Sequence, residues 1–252
     1  MIKIDKNISV VDYPGFLYPH CNCMYIEDDI NCLIDCSPGA DDLSCLKQKK
    51  VDLVINSHGH IDHYQYNHLF PDSKILMHQA DQAIAQSAEK YLYTFGINVW
   101  TSDSQLNKLY LDTGRYRTTR IDEYIEDNQI INLGSTDIEI IHLPGHSPGH
   151  CGMWFAKQGC IFTADIELSN FGPLYANMDS SLNDFLQSME RLIDLKPDYI
   201  ISGHGQAIVK DNVLRRLREY RDIIHIRHRR IVDLLYSGHH TLDEIAREIP
   251  IY

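Results

Sequence analysis

The chain has 252 residues, a length that fits one large domain or a domain with a small appendage. Hydrophobic residues make up 44%, too many for a disordered protein, yet no run approaches the roughly 18–20 apolar residues that a membrane span needs. The net charge of −12 disfavours phosphate backbones and lipid headgroups as partners. We therefore expect a small-molecule substrate, with neither membrane nor nucleic acid as a partner.

The first residues and the cysteines indicate the compartment. Residues 1–13 alternate apolar and polar side chains without a hydrophobic signal region, so we expect no export and a cytoplasmic location. The seven cysteines are odd in number, and we interpret them as reduced thiols. Cys21 and Cys23 share one side of an extended segment, but no second thiol pair completes a metal site. We interpret these two as buried or idle thiols.

Strand patterns dominate the first eighty residues. Cys23–Glu27 and Asn31–Asp35 are apolar runs separated by two aspartates, which predicts a hairpin-like pair of strands. Val51–Asn56 is a nearly continuous apolar run with β-branched residues, typical of a strand buried on both faces. The pattern then predicts a strand over Lys74–His78 and a helix over Ala80–Leu92.

Residues 93–130 differ in character from the rest of the chain. Tyrosines, Trp100 and several arginines interleave there without a strand period. We predict an inserted helical or loop segment.

Strands and helices alternate in the third quarter of the chain. Strand patterns return over Ile138–Leu143, Gly152–Phe155, Cys160–Thr163 and Tyr199–Ser202. Ser181–Leu195 has helical spacing of apolar residues and a serine cap. This alternation predicts a layered α/β domain whose site lies at a sheet edge.

The chain becomes helical past residue 212, so we divide it into a catalytic domain over 1–212 and a helical tail over 213–252. Thr241 and Glu244 form a capping box that predicts a last helix through Ile249. Seven arginines lie between Arg215 and Arg230, which we interpret as the solvated face of a helix.

The densest cluster of ligand-type residues is His58-Gly-His60-Ile-Asp62-His63, directly after the buried strand. Side chains at positions i and i+2 of an extended chain point the same way, so His58 and His60 can bind one ion. Asp62 and His63 lie further round the turn and can face a second ion. The rigid strand before them supports a metal site.

Three later segments each place one more ligand-type residue at the end of a strand. Pro-Gly pairs surround His146, an apolar strand ends in Asp165, and glycines flank His204. Any one of these segments alone is a weak signal. Four segments in this order are a strong one.

Together, the residues of these four segments resemble the motif of a known superfamily. The pattern H-x-H-x-D-H, then His, Asp and His, resembles the metallo-β-lactamase superfamily of αββα hydrolases, with a Pro-Gly-His/Gly-His-Gly pattern like that of its glyoxalase-II-like branch. The resemblance implies one metal on His58, His60 and His146 and a second on Asp62, His63 and His204, with Asp165 bridging the two. The match covers about the first 210 residues, and Ala164 departs from the glycine that often precedes the bridging aspartate.

The resemblance extends to two other parts of the chain. It implies that the insert over 93–130 covers the active site and sets specificity. The tail from Arg229 onward is similar to the winged-helix-like end of some superfamily members, over a shorter and less specific match.

Imidazole and carboxylate ligands without cysteine favour two Zn²⁺ ions, with iron or manganese as alternatives. Two such ions roughly 3.5–4 Å apart would share a bridging water and lower its pKa towards 7, giving a hydroxide that attacks a carbonyl or phosphorus centre. We assign catalytic roles to Asp165, as the bridge, and to Asp62, which would orient the nucleophile or take up its proton.

We predict hydrolysis of a small carbonyl substrate, namely a thioester, lactone or ester. Hydrolysis of β-lactams is disfavoured, because the β-lactamases proper generally lack the bridging aspartate and many are exported. One alternative is a phosphodiesterase or ribonuclease acting on nucleic acid, suggested by the arginine-rich helix and the winged-helix-like tail. The other is an iron-dependent redox enzyme on the same scaffold. A homodimer is possible, because the sequence does not determine the oligomeric state.

Overall fold

The computed structural model describes residues 1–13 and 18–248, which form thirteen strands, nine α-helices and a few 3₁₀ turns. The first sheet has seven strands in the order β1-β2-β3-β4-β5-β6-β7. Its strands are β1 (Ile2–Lys3), β2 (Ile8–Val11), β3 (Cys23–Ile26), β4 (Cys32–Ile34), β5 (Leu53–Ile55), β6 (Lys74–His78) and β7 (Glu123–Ile125).

The second sheet has six strands in the order β13-β12-β11-β10-β9-β8. Its strands are β8 (Ile130–Asn132), β9 (Asp137–His142), β10 (Cys151–Phe155), β11 (Cys160–Phe162), β12 (Tyr199–Ile201) and β13 (Ile208–Val209).

The helices lie between these strands and after them. They are α1 (Ala40–Leu46), α2 (Ile61–Tyr64), α3 (Gln82–Gln86), α4 (Ala88–Thr94), α5 (Ile97–Trp100), α6 (Ser104–Thr113), α7 (Leu182–Leu195), α8 (Val213–Tyr236) and α9 (Leu242–Glu248).

The two sheets pack face to face and the helices cover their outer faces. One apolar cluster joins Ile34 and Ile55 of the first sheet to Met153 and Phe162 of the second. A second cluster packs α7 and α8 on the outside of the second sheet, and a third packs Leu46 of α1 on the outside of the first. The predicted αββα architecture is therefore confirmed.

Strands with the clearest patterns form where the sequence predicts them. β3 and β4 pair antiparallel as a hairpin, and β5 is buried along its whole length between parallel β4 and β6. The α7 helix begins after Ser181, whose hydroxyl accepts a hydrogen bond from the backbone N–H of Asp184.

Two predictions in the middle of the chain need correction. The helix predicted over Ala80–Leu92 is broken at Ser87, which is extended and caps a new helix through the backbone N–H of Lys90. The segment over 93–130 is helical only in its first part, because β7 pairs parallel with β6 and β8 starts the second sheet.

The tail begins with the long helix α8, whose first half packs into the core through Leu217, Tyr220 and Ile224. Thr241 and Glu244 form the predicted capping box at the start of α9. Ile249 lies outside the described residues, and the division of the chain at residue 212 stays a prediction. Within the described chain, no helix is both long and apolar enough to cross a bilayer.

The arginine-rich stretch is only partly a solvated face. Arg227 is buried and donates to the carbonyl oxygens of Pro173 and Phe171. Arg216 donates to the carbonyl of Leu168 in the same loop. These arginines therefore fix a loop on the helix.

A carboxylate in the loop between β3 and β4 links the two sheets. Asp28, between β3 and β4, accepts hydrogen bonds from the backbone N–H groups of Ser135 and Thr136, between β8 and β9, and from the side chain of Asn7. Burial opposes the charge, but the hydrogen bonds from Ser135 and Thr136 outweigh it and lower the pKa of Asp28 below its usual range.

We predict that Asp28→Asn lowers the free energy of unfolding by about 1–2 kcal/mol at pH 7, because charge-assisted hydrogen bonds are lost. The folded-state pKa lies below the unfolded value, so this stabilisation is present above about pH 4 and is lost as the pH falls further. Urea unfolding at pH 7 and at about pH 3 measures the difference. The exposed neighbour Asp29, changed to Asn, serves as the control; an equal loss in both variants would contradict the prediction.

Candidate metal centre

Four chain segments meet at one edge of the sandwich. β9 and β11 both run antiparallel to β10, and β12 runs parallel to β11, so the carboxyl ends of these three strands share one edge of the second sheet. His146, Asp165 and His204 follow those ends, and β5 of the first sheet brings His58 to them. The structure thus brings all seven predicted residues together.

One group of ligand-type atoms comprises His58, His60, His146 and Asp165, with atoms that all lie within 4.8 Å of one another. His146 Nε2 lies 2.9 Å from His60 Nδ1 and 3.1 Å from Asp165 Oδ2. The rings of His58 and His60 have centroids 4.6 Å apart. All four residues are at least nine-tenths buried.

A second group comprises Asp62, His63 and His204, also within 4.8 Å. His204 Nε2 lies 3.2 Å from His63 Nε2 and 3.4 Å from Asp62 Oδ2. Asp165 reaches this group as well, because its Oδ1 lies 2.9 Å from His63 Nε2. The two oxygens of Asp165 therefore face different groups.

The rear nitrogens of the imidazoles are held by protein groups. His63 Nδ1 lies 2.7 Å from Asp35 Oδ2, His146 Nδ1 lies 3.0 Å from the carbonyl oxygen of Leu174, and His58 Nδ1 lies 3.0 Å from Ser57 Oγ. Such contacts fix the ring orientation and leave the opposite nitrogen available to a metal.

The residues fit divalent cations. His58 Nε2 is buried without a hydrogen-bond partner in the described structure, which is unfavourable unless something binds it. The seven residues supply imidazole nitrogens and carboxylate oxygens, the donors that zinc, iron and manganese accept in proteins.

The electrostatics of the centre favour cations. Burial lowers the pKa of His60 to about 3 and holds that of His58 well below its usual range. Burial acts against the charge on Asp165 too, but His63 and His146 outweigh it and keep the pKa of Asp165 well below its usual range. Burial acts against charge on His63, His146 and His204 too, but Asp165 outweighs it and raises their pKa values, that of His204 to about 10, so divalent cations would bind here by displacing protons from these imidazoles.

Asp35 is a residue that the sequence analysis did not identify as part of the site. It follows β4 directly and is fully buried, and it accepts hydrogen bonds from the backbone N–H and the hydroxyl of Ser57. Together with its contact to His63, it joins β4 to the histidine-rich loop. A carboxylate directly after an apolar strand was the available signal.

Asp81 was missed in the same way. Its buried carboxylate accepts hydrogen bonds from the backbone N–H groups of Gly59 and Gly149 at 2.8 and 2.6 Å and from the hydroxyl of Ser147 at 2.6 Å. Gly59 lies between two of the predicted ligands, and Ser147 follows a third. Asp81 therefore ties the first loop to the second.

The expectation for the two cysteines before and at the start of β3 has a clear outcome. Cys21 and Cys23 are free and buried, as predicted, with sulfur atoms 3.8 Å apart. Cys21 also lies within 4.8 Å of ligand-type atoms of Asp35 and His63. Burial raises the pKa of the Cys21 thiol well above its usual range, which disfavours the thiolate that a metal would bind.

A close approach explains one glycine beside His204. A Cβ atom on Gly203 would lie 3.0 Å from backbone atoms of Ala164, and the Gly203 N–H donates to the Ala164 carbonyl oxygen at 2.8 Å. Ala164 itself has a positive φ of 44°, a conformation that glycine adopts more easily.

A cavity of about 680 Å³ opens onto the second group. Asp62, Asp165 and His204 line it, together with both polar and apolar side chains. The described lining residues are Tyr18, His20, Asp62, Asp165, Glu167, Ser169, Asn170, Phe171, Leu174 and His204.

Comparison with known proteins identifies the class. The family model of the metallo-beta-lactamase superfamily matches residues 19–204, and the chain therefore belongs to that superfamily. Hydroxyacylglutathione hydrolase GloC of Haemophilus influenzae is 25% identical over 219 residues, which cover 79% of this chain and 91% of that protein.

Two further similarities agree with this class. The human acyl-coenzyme A thioesterase MBLAC2 is 24% identical over 182 residues, 67% of this chain and 61% of that protein. A metallo-beta-lactamase family protein from Thermus thermophilus has the same fold, with a TM-score of 0.71 at 17% identity over 93% of this chain and 84% of its own. The chain is a metal-dependent hydrolase.

We predict that Asp81→Asn weakens metal binding about 10- to 100-fold, because it loosens the loops that carry His58, His60 and His146. Competition with a chromophoric chelator measures the affinity. Asp122→Asn is the matched control, since Asp122 also accepts a backbone N–H, from Ile75, but lies away from the centre. Unchanged affinity in Asp81→Asn would contradict this role.

Proposed function

We propose that the chain is a dinuclear metal hydrolase acting on a small carbonyl substrate, namely a thioester, lactone or ester. His58, His60 and His146 would hold one ion, and Asp62, His63 and His204 the other. The observation that carries the proposal is the position of Asp165, whose Oδ2 lies 3.1 Å from His146 and whose Oδ1 lies 2.9 Å from His63. One carboxylate can therefore serve both groups.

The donor set favours Zn²⁺, with iron or manganese as alternatives, because it contains imidazole and carboxylate but no thiolate. Bound divalent ions would supply Lewis-acid polarisation of a carbonyl oxygen and would lower the pKa of a water molecule in the site.

The exposure of the ligand residues indicates on which side of the centre a substrate would react. The side chains of Asp62, Asp165 and His204 are 13%, 11% and 12% exposed, so these ligands reach the cavity while the others are shielded from it. Asp62 would then orient an attacking water and take up its proton. Phe171 and Leu174 line the cavity beside these ligands, and a substrate packed against them would displace water from the reacting carbonyl.

The names of two relatives favour a thioester within this substrate class. GloC is a hydroxyacylglutathione hydrolase and MBLAC2 an acyl-coenzyme A thioesterase, and both names describe removal of an acyl group from a thiol. The net charge of −12 also suits a small substrate better than a nucleic acid. The contacts of Arg216 and Arg227 with a loop of the chain weaken the ribonuclease alternative further.

We predict that Asp165→Asn releases metal and lowers kcat for thioester hydrolysis by at least about 100-fold, because an amide cannot supply two anionic oxygens. Elemental analysis of the purified protein measures the metal, and thiol release from a panel of thioesters, lactones and phosphodiesters measures turnover.

The matched control is Glu139→Gln, the same carboxylate-to-amide change on β9 and outside both ligand groups. It should retain metal and activity. Full activity of Asp165→Asn would contradict the proposed centre. Turnover confined to phosphodiesters would favour the nuclease alternative, and iron with oxygen consumption would favour the redox alternative.

A further inference from the structure

A second cavity lies beside the first and has a different lining. It encloses about 310 Å³ between Tyr18, Phe95, Tyr110, Thr113 and Gly114, and we name it the aromatic cavity. Four of these residues come from the segment over 93–130. Apart from the hydroxyl groups of its tyrosines and its threonine, the side chains lining this cavity are apolar. The hydroxyl of Tyr18 is already engaged, because it lies 2.6 Å from that of Tyr91.

The aromatic cavity adjoins the metal centre. Tyr18 lines both cavities, so the two are neighbours across its side chain. The ring of Phe95 lies 5.2 Å from the ring of His60. The aromatic cavity therefore flanks the first ligand group, whereas Asp62 and His204 of the second group line the larger cavity.

A glycine keeps the aromatic cavity open. Gly114 follows α6 with a φ of −72°, a backbone conformation that any residue adopts, so the turn does not require glycine. A Cβ atom at this position would lie 3.2 Å from the backbone carbonyl oxygen of Tyr110, 3.5 Å from the Tyr18 hydroxyl and 3.7 Å from the Tyr91 hydroxyl. Larger side chains would extend into the space between these residues.

The chemistry of an acyl compound fits two neighbouring cavities beside one metal centre. A thioester carbonyl has two substituents that diverge from its planar carbon, the acyl chain and the thiol carrier. The larger cavity includes Glu167, Ser169 and Asn170, which suit the polar carrier. The smaller aromatic cavity suits a compact apolar group.

We propose that the aromatic cavity binds the acyl group of the substrate and selects compact apolar acyl groups, such as phenylacetyl or short branched alkyl chains. This inference rests on the proposed function. It assigns specificity to Phe95, Tyr110, Thr113 and Gly114, and it names the acyl class for which the enzyme is selective.

The test compares acetyl and phenylacetyl thioesters of N-acetylcysteamine, an uncharged thiol. For the wild type, kcat/KM should be at least about tenfold higher with phenylacetyl, the effect of burying a ring in an apolar site. Gly114→Val should reduce this preference about tenfold, because the added methyl groups fill the cavity. Thr113→Phe fills it from the exposed end of α6 and gives a second test should Gly114→Val fail to fold.

The matched control is Leu109→Phe, which adds bulk on the same helix at a side chain that is 60% exposed and outside the lining. It should keep the wild-type preference. In S-phenyl thioacetate the aromatic ring is on the thiol carrier and the acyl group is acetyl. If Gly114→Val lowers kcat/KM for this compound and not for the phenylacetyl thioester, the cavity binds the thiol carrier, and its assignment to the acyl group is overturned. An unchanged preference in both cavity variants overturns it as well.

Binding of uncharged amides separates this inference from the proposed function. Calorimetry should show that the metal-loaded wild type binds phenylacetamide about tenfold more tightly than acetamide, and that Gly114→Val removes the difference. Intact binding without turnover of any thioester would contradict the proposed function and support the cavity. Equal binding of the two amides with normal turnover would overturn the cavity alone.

Discussion

The constraint on which the structure depends is the burial of ionisable ligands at one point. Asp165 is only 9% exposed, and both of its oxygens lie about as close to imidazole nitrogens as hydrogen-bond partners do. Buried carboxylates are unfavourable unless positive charge compensates them. His58 Nε2 has no hydrogen-bond partner in the described structure, although it is fully shielded from water. Divalent cations would compensate the buried carboxylate and bind the unpartnered nitrogen. A cluster of buried ionisable residues is therefore favourable at this point if cations occupy it.

The rest of the sandwich serves to hold that cluster. Three parallel-running strands of one sheet and β5 of the other place their carboxyl ends at a common edge. Asp35 and Asp81 then fix the loops that leave those ends, the first through Ser57 and His63 and the second through Gly59. Since these carboxylates bind backbone N–H groups as well as side chains, they control where the loops run. The positions of the ligand residues are therefore set by buried carboxylates that contact the loops carrying them.

The sequence predicts the features that depend on local pattern or on a dense motif. The buried apolar run of β5 and the cap at Ser181 form where expected, and four motif segments suffice to predict which residues meet. Contacts between residues far apart in the sequence leave no local pattern from which they could be predicted. Asp81 resembles any polar residue after a strand until the fold brings Gly149 to it, and β7 has two exposed residues of three. Arg227 looks like a solvated arginine because its buried carbonyl partners lie more than fifty residues away in the sequence.

Two cations bridged by one carboxylate are the central claim, and anomalous X-ray diffraction at the absorption edge of the metal found in the purified protein tests it most directly. A dinuclear centre should give two anomalous peaks, one enclosed by His58, His60 and His146 and one by Asp62, His63 and His204. Both should lie about 2.0–2.2 Å from their ligands, with one oxygen of Asp165 on each. A single peak, or peaks away from Asp165, would contradict it.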